Sequence, residues 1–257
     1  MTHAPRLKLL RFYLTAPAPC PYLDGMTERK VFTPLVGDLA GELNEALTHI
    51  GFRRSQTIAY RPACENCSAC YSVRIVLDGF TPTKSQKRIM KRNKELVRVK
   101  VPAIATEEQF ELLSKYLVER HPEGGMAEMS QGDFATMVQD TSVDTSIVEY
   151  REPLDQGGAL RAFCLMDKIS DGLSMVYSAF DPDLTDRSLG LWMILDHIDL
   201  SRQAGLDYVY LGYWIEACQK MAYKARFIPL EILGAGGWVQ FDGQTPPVPG
   251  RSIPLEG

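Results

Sequence analysis

The length and composition of the chain are those of an ordinary folded protein. It has 257 residues, of which 45% are hydrophobic and 23% are charged, and its formal net charge at pH 7 is -4. This composition excludes disorder on a domain scale and supplies enough apolar side chains for one large core or two modest ones. The negative charge excludes a protein that binds nucleic acid over its whole surface, because phosphate contacts need many Lys and Arg side chains. Any such contact must be local.

No segment of the sequence has the pattern of a membrane span or an export signal. The longest apolar stretches, such as residues 189–195, are far shorter than the roughly 20 residues that cross a bilayer. The first residues contain no apolar region followed by a small-residue cleavage site. We therefore expect a cytoplasmic protein without a membrane partner. In that reducing compartment, the six cysteines indicate metal or redox chemistry more than disulfides.

The first part of the chain combines a rigid loop, a helix and short strands. Three prolines and small residues predict an ordered loop over residues 16–22. Apolar residues at helical spacing predict a helix that ends near Gly51. Residues 57–60 and 72–77 are β-branched or aromatic, which predicts a strand pair that flanks the cysteines.

Residues 84–100 form a cationic segment with eight basic residues and one acid. A helix here places five of them on one broad face, at spacings of three and four residues. These five predict contacts with a nucleic-acid backbone: Lys84, Lys87, Arg88, Lys91 and Arg92. The alternative is an ordinary solvated face.

The rest of the chain alternates between helical and strand-like segments. We predict helices over residues 106–120 and 188–202 and another after Ile215, and strands over residues 146–150, 158–166, 173–179 and 208–211. A series of strands followed by a helix, a strand and a helix indicates a mixed sheet of the α/β or α+β class. The proline-rich residues 241–257 indicate a loosely packed tail.

Three cysteines are spaced C-x-x-C-x-x-C, and a fourth lies in the proline-rich loop. This spacing allows successive thiolates to surround one zinc ion or iron–sulfur cluster. The candidate ligands are Cys20, Cys64, Cys67 and Cys70. The alternative is that they are small buried residues of a tight turn. Cys164 and Cys218 stand alone in apolar surroundings and are expected in the core.

Two adjacent arginines, Arg53 and Arg54, follow the first helix. Guanidinium groups bind a carboxylate through two hydrogen bonds, so this corner is a candidate site for an acidic side chain. The alternative is that they are exposed partners of the helix dipole.

Longer strings in both halves carry a resemblance to a known family. In the first half these strings are residues 19–22, 28–33, 51–55, 60–62, the cysteine triplet, 73–75 and 84–88; in the second half they are residues 176–182, 188–190, 208–215 and 220–224. Together they resemble the aminoacyl-tRNA–protein transferases, and strings this long are more specific than a short motif.

The resemblance implies a fold and an activity. The implied fold is α+β, with an N-terminal cysteine-containing domain (residues 1–100), a C-terminal N-acetyltransferase-like mixed sheet with helices (residues 101–240) and the tail (residues 241–257). The implied reaction moves an amino acid from a charged tRNA to a protein that begins with Asp or Glu, as a degradation signal. The cysteine spacing of this compact chain is similar to that of the bacterial branch, which uses leucine. No cofactor is implied for the chemistry itself.

The resemblance also suggests roles for individual residues. Tyr213 would donate a proton to the leaving ribose oxygen, Lys220 or Lys224 would offset charge, and Asp181 would steer or deprotonate the incoming amine. For Tyr213 the alternative is a packing residue with a hydrogen-bonded hydroxyl. The acidic first residue of the acceptor would be bound by four residues: Arg53, Arg54, Ser55 and Tyr22.

Three other functions remain as alternatives. Arginyl-tRNA is an alternative donor, because the sequence does not place the residues of the amino-acid pocket. A CoA-dependent N-acetyltransferase is disfavoured, because Trp192 stands where the pyrophosphate loop after Arg187 needs a small residue. A metal-stabilised RNA-binding adaptor would leave the second half of the chain without a role.

Overall fold

The computed structural model describes residues 10–120, 125–244 and 246–248. The first part of this chain contains β1 (Tyr13–Leu14), β2 (Ala18–Pro19), β3 (Thr27–Glu28), β4 (Lys30–Pro34), α1 (Ala40–His49), β5 (Arg53–Ser55), β6 (Ile58–Pro62), β7 (Tyr71–Val76) and α2 (Lys84–Arg92). It continues with β8 (Val97–Pro102), α3 (Glu107–Arg120), α4 (Gln131–Gln139), β9 (Thr145–Arg151), β10 (Leu160–Lys168), β11 (Gly172–Phe180), α5 (Leu189–Gln203), β12 (Tyr208–Trp214), β13 (Leu230–Gly234) and β14 (Gly237–Gln240). Short 3₁₀ turns lie at Leu154–Gln156, Thr185–Arg187 and Ala222–Arg226.

The strands form one large sheet, one small sheet and a short ribbon. The large sheet has eight strands in the order β14-β13-β7-β12-β11-β10-β9-β8, and the small sheet has four in the order β1-β4-β6-β5. In the large sheet only β11 and β12 are parallel neighbours. The ribbon pairs β2 with β3 in the proline-rich loop. This mixed sheet with packed helices confirms the predicted α+β class.

Helices cover both faces of the large sheet. Along β10, Cys164 and Met166 point to a core shared with α5, whereas Phe163 and Leu165 point to a core shared with α3 and α4, as the two-residue period of a strand requires. The small sheet has its own core with α1. No helix in the described residues has the length and apolar character needed to cross a membrane.

The large sheet crosses the predicted boundary between residues 100 and 101. Strand β7, from the first part of the chain, lies between β13 and β12, and β8 spans the boundary itself. The predicted pairing of residues 57–60 with 72–77 is wrong, because β6 and β7 belong to different sheets. The physical reason is that Val73 and Ile75 are buried against α5, whereas Ala59 packs in the core of the small sheet.

Other predicted elements are confirmed or corrected. The helices over residues 106–120 and 188–202 are α3 and α5. The cationic helix α2 stops at Arg92, because the side chain of Asn93 donates to the carbonyls of Ile89 and Arg187; the valines that follow at every second position form β8 instead. The predicted helix after Ile215 is only the 3₁₀ turn Ala222–Arg226.

The predicted tail begins inside the fold. Phe241 is buried and its ring lies 5.4 Å from that of Trp214, and Val248 accepts a hydrogen bond from the backbone of Ala235. Residues 245 and 249–257 of the tail lie outside the described residues, as do residues 121–124 of the predicted break after α3.

Candidate active site

The small sheet meets the large sheet through strand β5. Successive side chains of a strand point to opposite sides, and the two adjacent arginines of β5 therefore enter different surroundings. Arg53 donates through Nη2 to the carbonyls of Met175 (3.2 Å) and Val176 (3.0 Å) on β11. Its guanidinium also lies 5.9 Å from the centroid of the Tyr213 ring on β12. Arg53 thus joins the small sheet to two strands of the large one.

Arg54 is not available to a substrate, which corrects its predicted role. It donates from Nε (2.6 Å) and Nη2 (2.7 Å) to the two carboxylate oxygens of Asp167. Both side chains are only 2% exposed, and Thr145 donates to the same carboxylate. The guanidinium already has a bidentate acidic partner within the chain, so only Arg53 remains as a candidate for binding an external carboxylate.

Tyr213 is a packing residue, and its hydroxyl is hydrogen-bonded to backbone carbonyls within the chain. The hydroxyl lies 2.9 Å from the carbonyl of Gly51 and 3.2 Å from that of Tyr60, and it donates to them. Burial, followed by the nearby Tyr60, raises the pKa of Tyr213 well above its ordinary value. The geometry does not support the predicted role as proton donor, because the hydroxyl hydrogen is held by the backbone of the small sheet.

Asp181 is likewise held inside the chain rather than free to act as a base. Its carboxylate accepts hydrogen bonds from Lys115 (2.7 Å) and Arg161 (2.8 Å). Burial acts to raise the pKa of Asp181, but the bonds from Lys115, the backbone of Asp183 and Arg161 outweigh it and lower the pKa below its ordinary value. A carboxylate with a lowered pKa is a poor proton acceptor, so its position supports structural stabilisation of the β11 end.

The two predicted lysines have different surroundings. Lys224 is buried, and its Nζ donates to the carbonyls of Leu211 (2.8 Å) and Tyr213 (2.5 Å). Burial and then the charge of Arg53 lower the pKa of Lys224 to about 7. Lys220, in contrast, is exposed between β12 and the 3₁₀ turn. Only Lys224 lies beside Arg53.

The four candidate cysteine ligands line one pocket, together with Tyr22, Tyr60 and Tyr213. Burial, followed by the charges of Cys64, Cys67 and Cys20, raises the pKa of Cys70 to about 12. In the described parts of the chain, however, no group of three His, Cys, Asp or Glu side chains is arranged to hold a metal ion. Cys164 and Cys218 are buried, as predicted from their apolar surroundings.

The other predicted binding residues lie on accessible surfaces. Tyr22 is 42% exposed at the mouth of the cysteine pocket, and Ser55 is exposed at the end of β5. The five basic residues of α2 are exposed as well. Thr83 and Gln86 cap the start of this helix reciprocally, and Ile89 anchors it to the core beneath α5. The arrangement leaves the cationic face of α2 open to a partner.

Sequence reasoning missed Gly212, which lies against Arg53. An added Cβ at this position would stand 1.8 Å from Nη1 of Arg53, and the backbone φ is +71°. Both observations require glycine. Gly212 directly follows the predicted strand over residues 208–211, and a glycine in or beside a strand often marks the close approach of another group.

The sequence matches two models of one family. The description "Arginine-tRNA-protein transferase, N terminus" matches residues 18–88, and "Arginine-tRNA-protein transferase, C terminus" matches residues 108–234. An aspartate/glutamate leucyltransferase of Afipia carboxidovorans is 58% identical over 235 residues, which are 90% of this chain and 93% of that relative. Its counterpart in Sphingopyxis alaskensis is 55% identical and covers 95% of this chain and 94% of its own length. The chain belongs to the aminoacyl-tRNA–protein transferase family.

Solved structures resemble this transferase more distantly. FemX has a TM-score of 0.43 at 8% identity and covers 72% of this chain and 63% of its own. A tandem GNAT protein from the clavulanic acid biosynthesis pathway has a TM-score of 0.40 at 14% identity and covers 85% and 60%.

The buried pair Arg54–Asp167 should dominate the stability of the contact between the sheets. Asp167→Asn keeps the shape of the side chain but leaves the guanidinium without its charge partner, so we expect the free energy of unfolding to fall by about 3–5 kcal/mol in urea denaturation. Glu65→Gln is the matched control, because Glu65 is 73% exposed in its pair with Arg29 and should cost less than about 1 kcal/mol. Equal losses in the two variants would contradict the structural role of Arg54.

Lys224 should make the stability of this transferase depend on pH. Its pKa falls from 10.5 to about 7 on folding, so between these values the unfolded chain binds more protons and the contribution to the free energy of unfolding grows with pH. Relative to Lys224→Met, the wild type should gain on the order of 2–3 kcal/mol between pH 7 and 9.5 in urea denaturation. The exposed Lys168→Met should follow the wild type. A constant difference between wild type and Lys224→Met would exclude the lowered pKa.

Proposed function

We propose that this transferase moves leucine from leucyl-tRNA to the N-terminal Asp or Glu of acceptor proteins. The observation that carries the proposal is the identity of 52–58% over 90–95% of the chain to several proteins named aspartate/glutamate leucyltransferase. Transfer would mark the acceptor for degradation and take place in the cytoplasm. Arginyl-tRNA remains the alternative donor.

The acceptor would be recognised at the junction of the two sheets. Arg53 is the candidate for its acidic side chain, because no Asp or Glu in the described chain forms an ion pair with this guanidinium, whereas Arg54 is fully used by Asp167. A guanidinium is the side chain best shaped to hold a carboxylate. Tyr22 and Ser55 are accessible near this corner and would complete the acceptor site.

The chemistry would depend on positioning more than on proton transfer by side chains. A free α-amine has a pKa of about 8, so a useful fraction is already neutral at pH 7. The side chains predicted as acid and base, Tyr213 and Asp181, are both held by neighbours within the chain. Holding an amine beside an activated ester supplies several kcal/mol of barrier reduction by itself, and Lys224 would offset the charge of the developing oxyanion. Lys220, exposed nearby, could offset charge on the tRNA.

The charged tRNA would bind along α2. The helix presents Lys84, Lys87, Arg88 and Lys91 to solvent, and phosphate contacts of this kind hold RNA without reading its sequence. A local cationic face is also what the net charge of -4 permits. Zinc or an iron–sulfur cluster at the four cysteines stays a prediction, supported only by their common pocket.

Transfer to acidic N-termini is the direct test. Purified protein is mixed with leucyl-tRNA that carries labelled leucine and with peptides that differ only in a first residue of Asp, Glu or Ala. We expect labelled Asp- and Glu-led products and none from the Ala-led peptide, and parallel arginyl-tRNA measures the alternative donor. Binding of tRNA without any labelled peptide would instead identify a non-catalytic adaptor, and acetylation of the peptides by acetyl-CoA would identify an acetyltransferase.

Removal of charge from α2 should weaken tRNA binding and its salt dependence together. For Lys87→Ala combined with Lys91→Ala, the slope of log K against log salt should fall in magnitude by about 1.5, because each lost phosphate contact removes about 0.7–0.9. Affinity is measured by filter binding between 50 and 200 mM salt. Lys168→Ala removes an exposed lysine at the end of β10 and is the control. An unchanged slope in the α2 variant would place the tRNA elsewhere.

A further inference from the structure

Strands β11 and β12 separate soon after they begin to pair. Their register joins only Gly172–Ser174 with Tyr208–Tyr210, although β11 continues to Phe180 and β12 to Trp214. Just beyond the last pair, Val176 is skipped in the pairing of β11 with β10, and Leu211 is skipped in the pairing of β12 with β7. An extra residue bends a strand and ends its regular pairing. The two bulges therefore open a gap between β11 and β12, beside Val176 on one strand and Leu211 on the other.

A cation from the small sheet bridges this gap. The Arg53 guanidinium donates to the carbonyls of Met175 and Val176 at the bulge of β11, and it lies beside the Tyr213 ring of β12. These carbonyls belong to the stretch of β11 that lies just past its last pair with β12. Arg53 thus donates to carbonyls of β11 at the point where β11 no longer pairs with β12.

A second cation enters the gap from the other strand. Lys224 donates to Leu211 and Tyr213, which are alternate residues of β12 and therefore present their carbonyls to the same side. The lysine belongs to the turn Ala222–Arg226, which packs against the core on the α5 side. The two cations therefore reach the gap from opposite faces of the large sheet.

The charge of this pair is not balanced within the described residues. No Asp or Glu carboxylate there forms an ion pair with Arg53 or Lys224, although Arg54 and Lys115 close by each have one. The ionisable neighbours that act on Lys224 are Arg53 and Cys218, and Tyr223 also faces Arg53. Two cations in a partly desolvated gap favour an anion more than the same charges in water. Because the pKa of Lys224 is lowered to about 7, the gap holds the charge of Arg53 and part of the charge of Lys224, which an anionic ligand can balance.

The position of the Arg53 guanidinium requires a glycine at residue 212. An added Cβ would stand 1.8 Å from Nη1 and 2.2 Å from Cζ of Arg53. The guanidinium is fixed by its carbonyl contacts and by packing on Tyr213, so a side chain at residue 212 has to displace it. A side chain at residue 212 would therefore shift the guanidinium from its present position.

We propose that the gap between β11 and β12 binds the carboxylate of the acceptor's acidic first residue, and that Gly212 and Lys224 are positioning residues that hold the Arg53 guanidinium there. This inference rests on the proposed function and identifies where within the molecule the acidic residue is recognised. Arg53 contacts the carboxylate, whereas Gly212 leaves room for Arg53 and Lys224 binds the carbonyls of Leu211 and Tyr213 on β12.

A mutant cycle between Gly212 and Arg53 tests the inference. The variants are Gly212→Ala, Arg53→Ala and the double variant, and KM is measured separately for an Asp-led peptide and for leucyl-tRNA. We expect Gly212→Ala to raise the peptide KM at least about tenfold while the tRNA KM changes less than about twofold. Because the added methyl group acts through Arg53, the double variant should be no worse than Arg53→Ala alone. Lys224→Met should raise the same peptide KM.

Controls separate recognition from folding and from the proposed function. Gly41→Ala is the matched glycine control, since an added Cβ there meets nothing within 4 Å, and thermal melting reports the integrity of each variant. If Gly212→Ala does not fold, Arg53→Lys retains a charge but loses the two-carbonyl bridge and should raise the peptide KM alone. Effects that add in the double variant, or an unchanged peptide KM in Gly212→Ala or Arg53→Lys, would overturn the inference. A wild type that forms no leucylated peptide would overturn the proposed function instead.

Discussion

The alternation of side chains along β5 is the constraint on which the contact between the two sheets depends. Within this three-residue strand, Arg54 points into a buried ion pair with Asp167 of β10, while Arg53 points into the opening between β11 and β12. A shift of β5 by one residue would place either Phe52 in the opening or Ser55 opposite Asp167, so that one of the two contacts would be lost. The register of the small sheet on the large one is therefore fixed by electrostatics as well as by packing.

The buried ion pair specifies geometry more than it adds net stability. Desolvation of two charges offsets most of their attraction, so such pairs are often no more stabilising than apolar residues of the same volume, yet loss of one partner is costly. Three further polar contacts also fix how the small sheet and α1 lie on the large sheet. Tyr213 donates to backbone carbonyls of the small sheet, Trp238 donates to the carbonyl of His49, and His49 contacts Asp171. Together they allow one orientation of Arg53 relative to the gap.

The sequence predicts local elements better than it predicts how they assemble. Helices α3 and α5 have clear apolar periodicity and appear where it places them. Strand β7 also appears where expected, but its neighbours in the sheet come from residues 208–214 and 230–234, and pairings across such separations leave no local signal. Helix α4 and strands β13 and β14 were missed because short segments carry few periods of the apolar pattern.

The candidate site shows the same limit at the level of single residues. The sequence marks Arg53 and Arg54 as candidates, but it cannot separate the arginine that faces Asp167 from the one that faces the gap, because the partner Asp167 lies 113 residues away. Tyr213 and Asp181 have the residue types of an acid and a base, and only their contacts show that each is already occupied. A glycine at this position indicates that another group approaches closely, but the local pattern does not identify that group as Arg53, which lies 159 positions earlier in the sequence.

The large sheet separates the two surfaces that the proposed substrates would use. Leu165 and Asp167 are two residues apart on β10 and therefore share a face, on which α3, α4 and the small sheet pack. Helix α5 lies on the opposite face, and the cationic helix α2 packs beside it. A tRNA held on α2 and an acceptor held by the small sheet would consequently approach from opposite sides. The gap that Arg53 and Lys224 occupy is the place where the pairing of adjacent strands is interrupted, so it offers an opening through which an ester on one side and an amine on the other can come within reaction distance.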